Sequence, residues 1–299
     1  NCVYCQLGRS LPLTNQRRKY IPSQEIIMEV EQSLQAHAPG DIDWVTFVGS
    51  GETTLHTSLG WLIRQVKSLT HLPVAVITNG SLLYQPEVRR ELSAADAVLP
   101  SLDAGDAGLY RKINRPHPEV SFKRLTEGMS AFRKEYQGKL WVEVMLVRGF
   151  NDTEDALVKL AAKLEDIQPD EVHLLQPDRP PAEPWVKPVD DEGLLRARAI
   201  LGEVARLIHP ASGSFDLSGA ESLVEAVIGI ITRHPMCEDE LIETLEHYSP
   251  GDGLTTLEAL QNSGKAQIVE RLGIRFWSVS PACYPVKRIN EHKIDDAAV

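Results

Sequence analysis

The sequence predicts an α/β fold of parallel strands joined by helical crossovers, either an open doubly wound sheet or a barrel, followed by a smaller unit of different character. Three observations predict it. Short apolar runs alternate strictly with amphipathic segments from about residue 23 to about residue 208. Unusual polar residues sit at the C-terminal ends of successive apolar runs, the edge where βα folds build their sites. The alternation stops at His209, Pro210 and the small, flexible run ASGS.

The alternation begins with SQEIIMEVEQSLQA, where Ile26, Ile27, Val30 and Leu34 share one helical face and Ser23 is placed to cap it. IDWVTFVG, bounded by Gly49 and Gly51, reads as a buried strand. Helices near 57–69, 85–93, 121–136 and up to Asp166 alternate with strands PVAVITNG, AVLPSLD, LWVEVMLV and EVHLLQP, and a last helix is expected over 191–208. The proline-rich DRPPAEPWVKPVDD cannot be a regular element and is expected to wrap or cover the last strand. A boundary near 215 divides domains at 1–214 and 215–299. The tail reads as helices at 221–233, 238–247 and 254–263 and a hairpin turning at Leu272–Gly273, which is the winged-helix order.

Composition narrows the function. The chain has 42% hydrophobic and 24% charged residues, an ordinary globular mixture. No apolar run is long enough to cross a bilayer, and a cytoplasmic location is the default expectation. A net charge of −11 argues against coating of nucleic acid, although residues 6 to 20 hold Arg9, Arg17, Arg18 and Lys19 and no acid. Four cysteines do not make a disulfide scaffold. Cys237 and Cys283 stand alone and read as small buried or inert thiols.

That leaves NCVYCQLGRS, in which Cys2 and Cys5 form C-x2-C. Alone, the pair fits half a zinc site, a redox dithiol or part of a cluster site. Zinc is disfavoured because no second pair of ligands lies at short spacing. A redox dithiol is disfavoured because Gly8 and Pro12 interrupt the helix that would stabilise a thiolate. The pair also stands where a loop would follow the first strand of a βα repeat.

Here the sequence resembles the radical S-adenosylmethionine (SAM) enzymes, whose hallmark is C-x3-C-x2-C in that loop, with an aromatic residue such as Tyr4 before the last cysteine. The resemblance implies a partial (β/α)6 TIM-type barrel lacking its first strand here, a further cysteine three positions ahead of Asn1, and a [4Fe-4S] cluster ligated by Cys2 and Cys5. Three thiolates leave one iron open. In the family, SAM chelates that iron, is cleaved reductively, and yields a 5′-deoxyadenosyl radical that abstracts hydrogen from the substrate.

Further resemblances imply SAM contacts. FVGSGETTL is similar to the family's Gly-Gly-Glu element, so Glu52 with the backbone of Gly51 and Thr53 would hold the methionyl ammonium. ITNGSLL would bring Asn79 to the ribose or methionyl part. PSLDAGDAGLYRKINRP resembles the branch containing the molybdenum-cofactor enzyme MoaA, so Ser101 and Asp103 would line the pocket and one of Arg111, Lys112 and Arg115 would pair with the carboxylate, with Arg115 assigned that role. VEVMLVRGFND would place Met145 and Val147 near the adenine, and Gln176 ends the next strand. Tyr4 would shield the cluster.

The substrate is not legible, but Arg9, Arg17, Arg18 and Arg179 follow strand ends that share one rim and suggest an anionic metabolite, RNA or peptide. From Leu223 onward there are seven Lys or Arg against twelve Asp or Glu, so DNA binding by the tail is disfavoured and a packing or protein-docking role is expected. Radical chemistry of this kind implies an external electron donor of the flavodoxin or ferredoxin type. The competing class is a redox- or metal-sensing regulator whose winged helix reads DNA.

Overall fold

The computed structural model describes residues 1–9, 13–208, 217, 222–232, 234–271 and 273–280. The boundary placed near 215, the Leu272 position of the hairpin turn and Cys283 fall outside them.

Each predicted repeat forms. Helix α1 (Ser23–Ala36) is followed by β1 (Val45–Phe47), a short 3-10 turn (Thr53–Leu55), α2 (Leu59–Leu69), β2 (Val74–Thr78), α3 (Pro86–Leu92) and β3 (Ala97–Pro100). Then come α4 (Ala107–Ile113), α5 (Phe122–Glu135), β4 (Lys139–Met145), α6 (Glu154–Ile167), β5 (Glu171–Leu175), α7 (Asp191–Leu201) and β6 (Ala205–Leu207). The six strands are parallel neighbours in the order β1-β2-β3-β4-β5-β6. A doubly wound sheet reverses direction part-way, whereas here every crossover steps the same way, the topology of a barrel wall.

Three details differ from the sequence reading in these repeats. Ser23 does not cap α1 but is its first residue, with Pro22 at the cap position and no side-chain bond there. Helix 191–208 is a shorter helix plus a strand, because Gly202 takes φ +81° after Leu201 and Ala205 then pairs with Val172. Helix α4 was not foreseen at all; Asp106 caps it by accepting from the amides of Gly108 and Leu109.

The period-2 rule fixes which strand residues face the chemistry. In β4, Leu140, Val142 and Val144 are wholly buried in the same core as Phe132 of α5 and Leu160 of α6. Trp141, Glu143 and Met145 therefore face the inside of the barrel wall. Gly105, in the turn before α4, lies so close to α6 that an added Cβ would stand 2.2 Å from the Lys159 carbonyl carbon and 2.3 Å from the Leu160 nitrogen. Backbone cannot yield as a side-chain tip can. Gly105→Ala is expected to lower stability by about 3 kcal/mol or more, read from the denaturation midpoint.

The C-terminal residues build a second core. Helix α8 (Leu223–Ile231), β7 (Met236–Cys237), α9 (Glu238–Tyr248), α10 (Gly253–Asn262), β8 (Ala266–Arg271) and β9 (Ile274–Val279) pack with sheet order β7-β9-β8, antiparallel throughout. Val227, Ile231, Leu241, Leu245, Leu260 and Trp277 form its centre. Trp277 is core, its indole N–H donating to Glu238 Oε2 at 2.9 Å. Strand β7 was not foreseen, being two residues long. Cys237 is the N-cap of α9, its sulfur accepting from the Glu240 amide. From this unit Arg271 reaches across and donates to the carbonyls of Pro177, Arg179 and Val186 in the segment after β5.

Candidate active site

The loop carrying the cysteine pair is fastened before it is shaped. The Val3 amide donates to the Ile113 carbonyl at 2.9 Å, and its side chain is buried with Ile113, Val147 and Val186. Two consecutive turns follow, with the Cys5 amide on the Cys2 carbonyl and the Gly8 amide on the Cys5 carbonyl, both at 3.1 Å. Gly8 has φ +74°, which a side chain would resist. The result puts Cys2 and Cys5 on one wall of a cleft of about 470 Å³ at the C-terminal edge of the sheet. The other walls are Val48–Glu52 after β1, Asn79 after β2, Met145 at the end of β4, Pro177–Arg179 after β5, and His234 from the C-terminal unit.

Burial pushes both cysteine thiols above their ordinary range. A thiolate at either position needs a cation to offset that penalty, which suits ligation of iron. Among the described residues no group of three or more His, Cys, Asp or Glu could hold a metal, so the protein side of the site seen here is the pair.

Glu52 ties two strand ends together. Its Oε1 accepts from the Thr54 amide at 3.0 Å and from the hydroxyls of Thr54 and Thr78, and its Oε2 accepts from the Asn79 amide at 2.7 Å. The Asn79 Oδ1 accepts from the Ser81 amide at 2.9 Å. That fixes the side chain of Asn79 with its amide N–H groups as remaining donors at the cleft.

Asp103 is the second organiser and is almost wholly buried. The Tyr4 hydroxyl donates to its Oδ2 at 2.6 Å, the Asn114 amide donates to the same oxygen, and the Met145 amide donates to its Oδ1 at 2.8 Å. Burial holds its pKa above the usual carboxylate range despite these donors. Asn114 Nδ2 also lies 3.7 Å from Cys2 Sγ. Because a carboxylate accepts only, this amide orientation is fixed, and Asn114 Oδ1 is left buried without a partner. Gln176 Oε1 is a second such orphan. Of the two, Asn114 lines a smaller pocket shared with Cys2, Glu52 and Asn79, where its stranded acceptor fits a ligand that carries N–H or O–H donors, as SAM does.

Asn151 locks the same region from behind, donating to the carbonyls of Asp103 and Met145 and accepting from the Val147 amide at 2.7 Å. On the inner face, Glu143 sits in register between Ser101 and His173, and burial first, then the Asp103 charge, pushes its pKa up to about 7. Its unfolded value is about 4.3, so its stabilising contribution is complete below about pH 4 and is lost as pH rises to about 7. Glu143→Gln is expected to match the wild type in stability near pH 4 and to exceed it by roughly 2–4 kcal/mol at pH 8, measured by denaturant titration.

Cys2, Tyr4, Cys5, Gly51, Glu52, Asn79, Met145 and Arg179 line the cleft. Asp103 stands behind Tyr4, and Ser101 is bridged to Glu143 beneath. Thr53, Val147 and Gln176 do not line it, and Val147 is buried in the small cluster under the loop. The expected basic rim is largely neutralised. Arg9 and Arg115 both pair with Glu183, whose side chain is 7% exposed, and Arg17 pairs with Glu91 and donates to the Thr54 carbonyl. Arg18 lies over the Tyr20 ring, and its backbone bridges to His56. Arg9, Arg17, Arg18 and Arg115 hold loops rather than face the cleft.

Sequence reasoning missed Asn114, Glu183 and His234. Asn114 lay in RKINRP, read for its cations, and Glu183 lay in the proline-rich wrap. His234 is 228 residues from its neighbour Gln6, so no local pattern could reveal it.

With this geometry in place, residues 1–161 match the family model described as the radical SAM superfamily. The chain belongs to the radical SAM superfamily. It is 33% identical over 250 residues to UPF0026 protein MJ1312 of Methanocaldococcus jannaschii, covering 82% of this chain and 77% of that one. It is 28% identical over 172 residues to a probable GTP 3′,8-cyclase of Methanococcus aeolicus, covering 56% of this chain and 54% of that one. Among solved structures, a radical SAM methyltransferase from Sphaerobacter thermophilus is similar with a TM-score of 0.46 at 18% identity, over 63% of this chain and 57% of that one. Radical SAM proteins use a [4Fe-4S] cluster and SAM, and this chain is accordingly an enzyme of unspecified reaction. No helix among the described residues is long and apolar enough to cross a membrane.

Proposed function

We propose that the cleft holds a [4Fe-4S] cluster through Cys2, Cys5 and a third cysteine at the C-x3-C-x2-C spacing, binds SAM beside it, and abstracts hydrogen from a substrate carrying an anionic group. The observation that carries this reading is the convergence of Cys2 and Cys5 with Glu52, Asn79 and Met145 on one cleft at the strand C-termini. When bound and reduced, the cluster and SAM supply homolysis of a carbon–sulfur bond and the hydrogen abstraction that follows.

The chain's own residues orient and enclose. Glu52 and Thr78 fix the backbone between β1 and β2, so the Gly51 carbonyl and the Glu52 carboxylate are held as acceptors for the methionyl ammonium. Asn79 offers amide donors to the ribose or carboxylate, and Met145, its amide pinned by Asp103, presents an apolar surface to the adenine. Tyr4, tied to Asp103, covers the cluster side and excludes water.

The division into domains 1–214 and 215–299 is part of this proposal. The order α8, β7, α9, α10, β8, β9 supports a winged-helix-like second domain. Helix α10, which would read a DNA groove, carries Glu258 and no Lys or Arg, so the regulator reading has no support from it. An external flavodoxin- or ferredoxin-type donor supplies the electron, and the cytoplasm is the expected location. Full-length protein loaded anaerobically with iron and sulfide and reduced with dithionite tests the proposal by electron paramagnetic resonance: the cluster signal should change shape when SAM is added. A signal indifferent to SAM contradicts it.

A further inference from the structure

Residues 107–124, from α4 to the first turn of α5, carry five Lys or Arg and one acid, Glu119, in a chain whose net charge is −11. Little of that charge is answered locally. Arg111 has no carboxylate within ion-pair distance among the described residues and acts on Asp106 only at longer range. Lys123 meets Glu127 at 3.7 Å in a pair exposed on both sides, which contributes little. Lys112 lies over the Phe150 ring and Arg124 over the Tyr84 ring, contacts that leave both charges in place. Arg115 is the member of the run that is neutralised, by Glu183.

The run also lies against the cysteine loop. Arg111, Arg115 and Lys123 line an outer hollow of about 580 Å³ whose apolar lining includes Pro116, Val120 and Phe122. Tyr110, Pro116, His117 and Val120 line this hollow and also line the smaller pocket that holds Cys2. A wall one residue thick therefore stands between the basic face and the cysteine. Behind it, Asn114 Nδ2 lies 3.7 Å from Cys2 Sγ, and the Ile113 carbonyl accepts from the Val3 amide at 2.9 Å. No residue of 107–124 lines the larger cleft, so a small substrate reacting there need not cover this face.

Resting on the radical SAM reading above, we propose that this face docks an acidic electron-carrier protein, steered by Arg111 and Lys123 and seated on the apolar hollow they line. One electron passes from the reduced carrier to the cluster beside Cys2. The carrier is oxidised by one electron, the cluster is reduced by one, and no bond forms or breaks. Cations around a small apolar centre suit a partner that must arrive fast and leave again, because long-range attraction raises the association rate more than the affinity. An RNA would need cations continuing along a track toward the cleft, whereas Arg9 and Arg17 are paired with Glu183 and Glu91.

The test is the rate at which full-length, cluster-loaded protein is reduced after anaerobic mixing with a reduced flavodoxin, a reduced ferredoxin or reduced methyl viologen, followed by the reductant's own absorbance as it is oxidised. At least one of the two acidic proteins should reduce it at a rate that falls steeply with added salt. Arg111→Glu with Lys123→Glu should slow that carrier about tenfold or more at low ionic strength, and Arg111→Gln with Lys123→Gln should slow it less. Methyl viologen, a small cation that needs no docking, should not be slowed by either pair. Arg64→Glu with Arg198→Glu, the same charge change at exposed positions of α2 and α7, should slow the carrier no more than about twofold. Carrier rates indifferent to salt or to Arg111→Glu with Lys123→Glu, equal slowing by the control pair, or slowing of methyl viologen as well would each overturn the inference. So would a single-stranded oligoribonucleotide that binds more tightly than either carrier and is lost in Arg111→Glu with Lys123→Glu. 5′-Deoxyadenosine formed from SAM by the viologen-reduced wild type separates the two readings: its formation without salt-sensitive carrier reduction sinks the docking face alone, and its absence sinks the radical SAM reading.

Discussion

Cys5→Ala is expected to abolish cluster loading while leaving the fold intact. Cys5 contributes its sulfur to the cleft wall, and the turn it sits in is held by backbone, the Cys5 amide on Cys2 and the Gly8 amide on the Cys5 carbonyl. Removing the sulfur therefore costs little packing. Mutating residues that merely support a metal ligand lowers affinity 10- to 100-fold in general, so removing a ligand should cost more than about 100-fold. Anaerobic reconstitution should give protein with far-ultraviolet dichroism and a melting point like the wild type, no brown colour, and no SAM cleavage. The same variant retaining visible absorption and iron content would remove Cys5 from the ligand set.

Asp103→Ala should be the most damaging change outside the cysteines. Three donors converge on this buried carboxylate, from Tyr4, Asn114 and the Met145 amide, and alanine strands all of them. Each orphan costs about 1–3 kcal/mol, so the loss should be on the order of 3–5 kcal/mol, a drop in melting point of roughly 10 °C. Asp103→Asn should be much milder. The new amide can donate to Tyr4, whose hydroxyl can rotate to accept, and Asn114 can turn its stranded Oδ1 to receive the second N–H. That turn would withdraw the Asn114 N–H from Cys2 Sγ, so Asp103→Asn should keep the fold yet lower the cluster reduction potential, because a donor on a cluster sulfur favours the more negative reduced state. Equal stability losses for the two substitutions would show that packing, not hydrogen bonding, is what Asp103 supplies.

The strand–helix rhythm was legible because apolar periodicity reports which face is buried, and IDWVTFVG, PVAVITNG, LWVEVMLV and EVHLLQP each contain a strand of the sheet. Boundaries set by a single residue were not legible. Gly202 ends α7 and turns what read as helix into β6, and α4 depends on one capping carboxylate, Asp106. For the site, residues next to a strand end in sequence reached the cleft, as Glu52, Asn79 and Met145 do. Charges misled, because a long side chain's partner is set by tertiary contact. Arg9, Arg115 and Glu183 meet from three separate loops, and nothing in RKINRP tells Arg115, which turns back with φ +45°, from a ligand-binding cation. His234 and the clasp of Arg271 depend on how the two cores pack and leave no trace in local pattern.

Full-length, cluster-loaded protein mixed anaerobically with SAM and a strong reductant should release 5′-deoxyadenosine and methionine in equal amounts, only with the reductant present and not from Cys5→Ala. SAM recovered intact from protein that carries a reduced cluster would show that the cleft does not perform this cleavage.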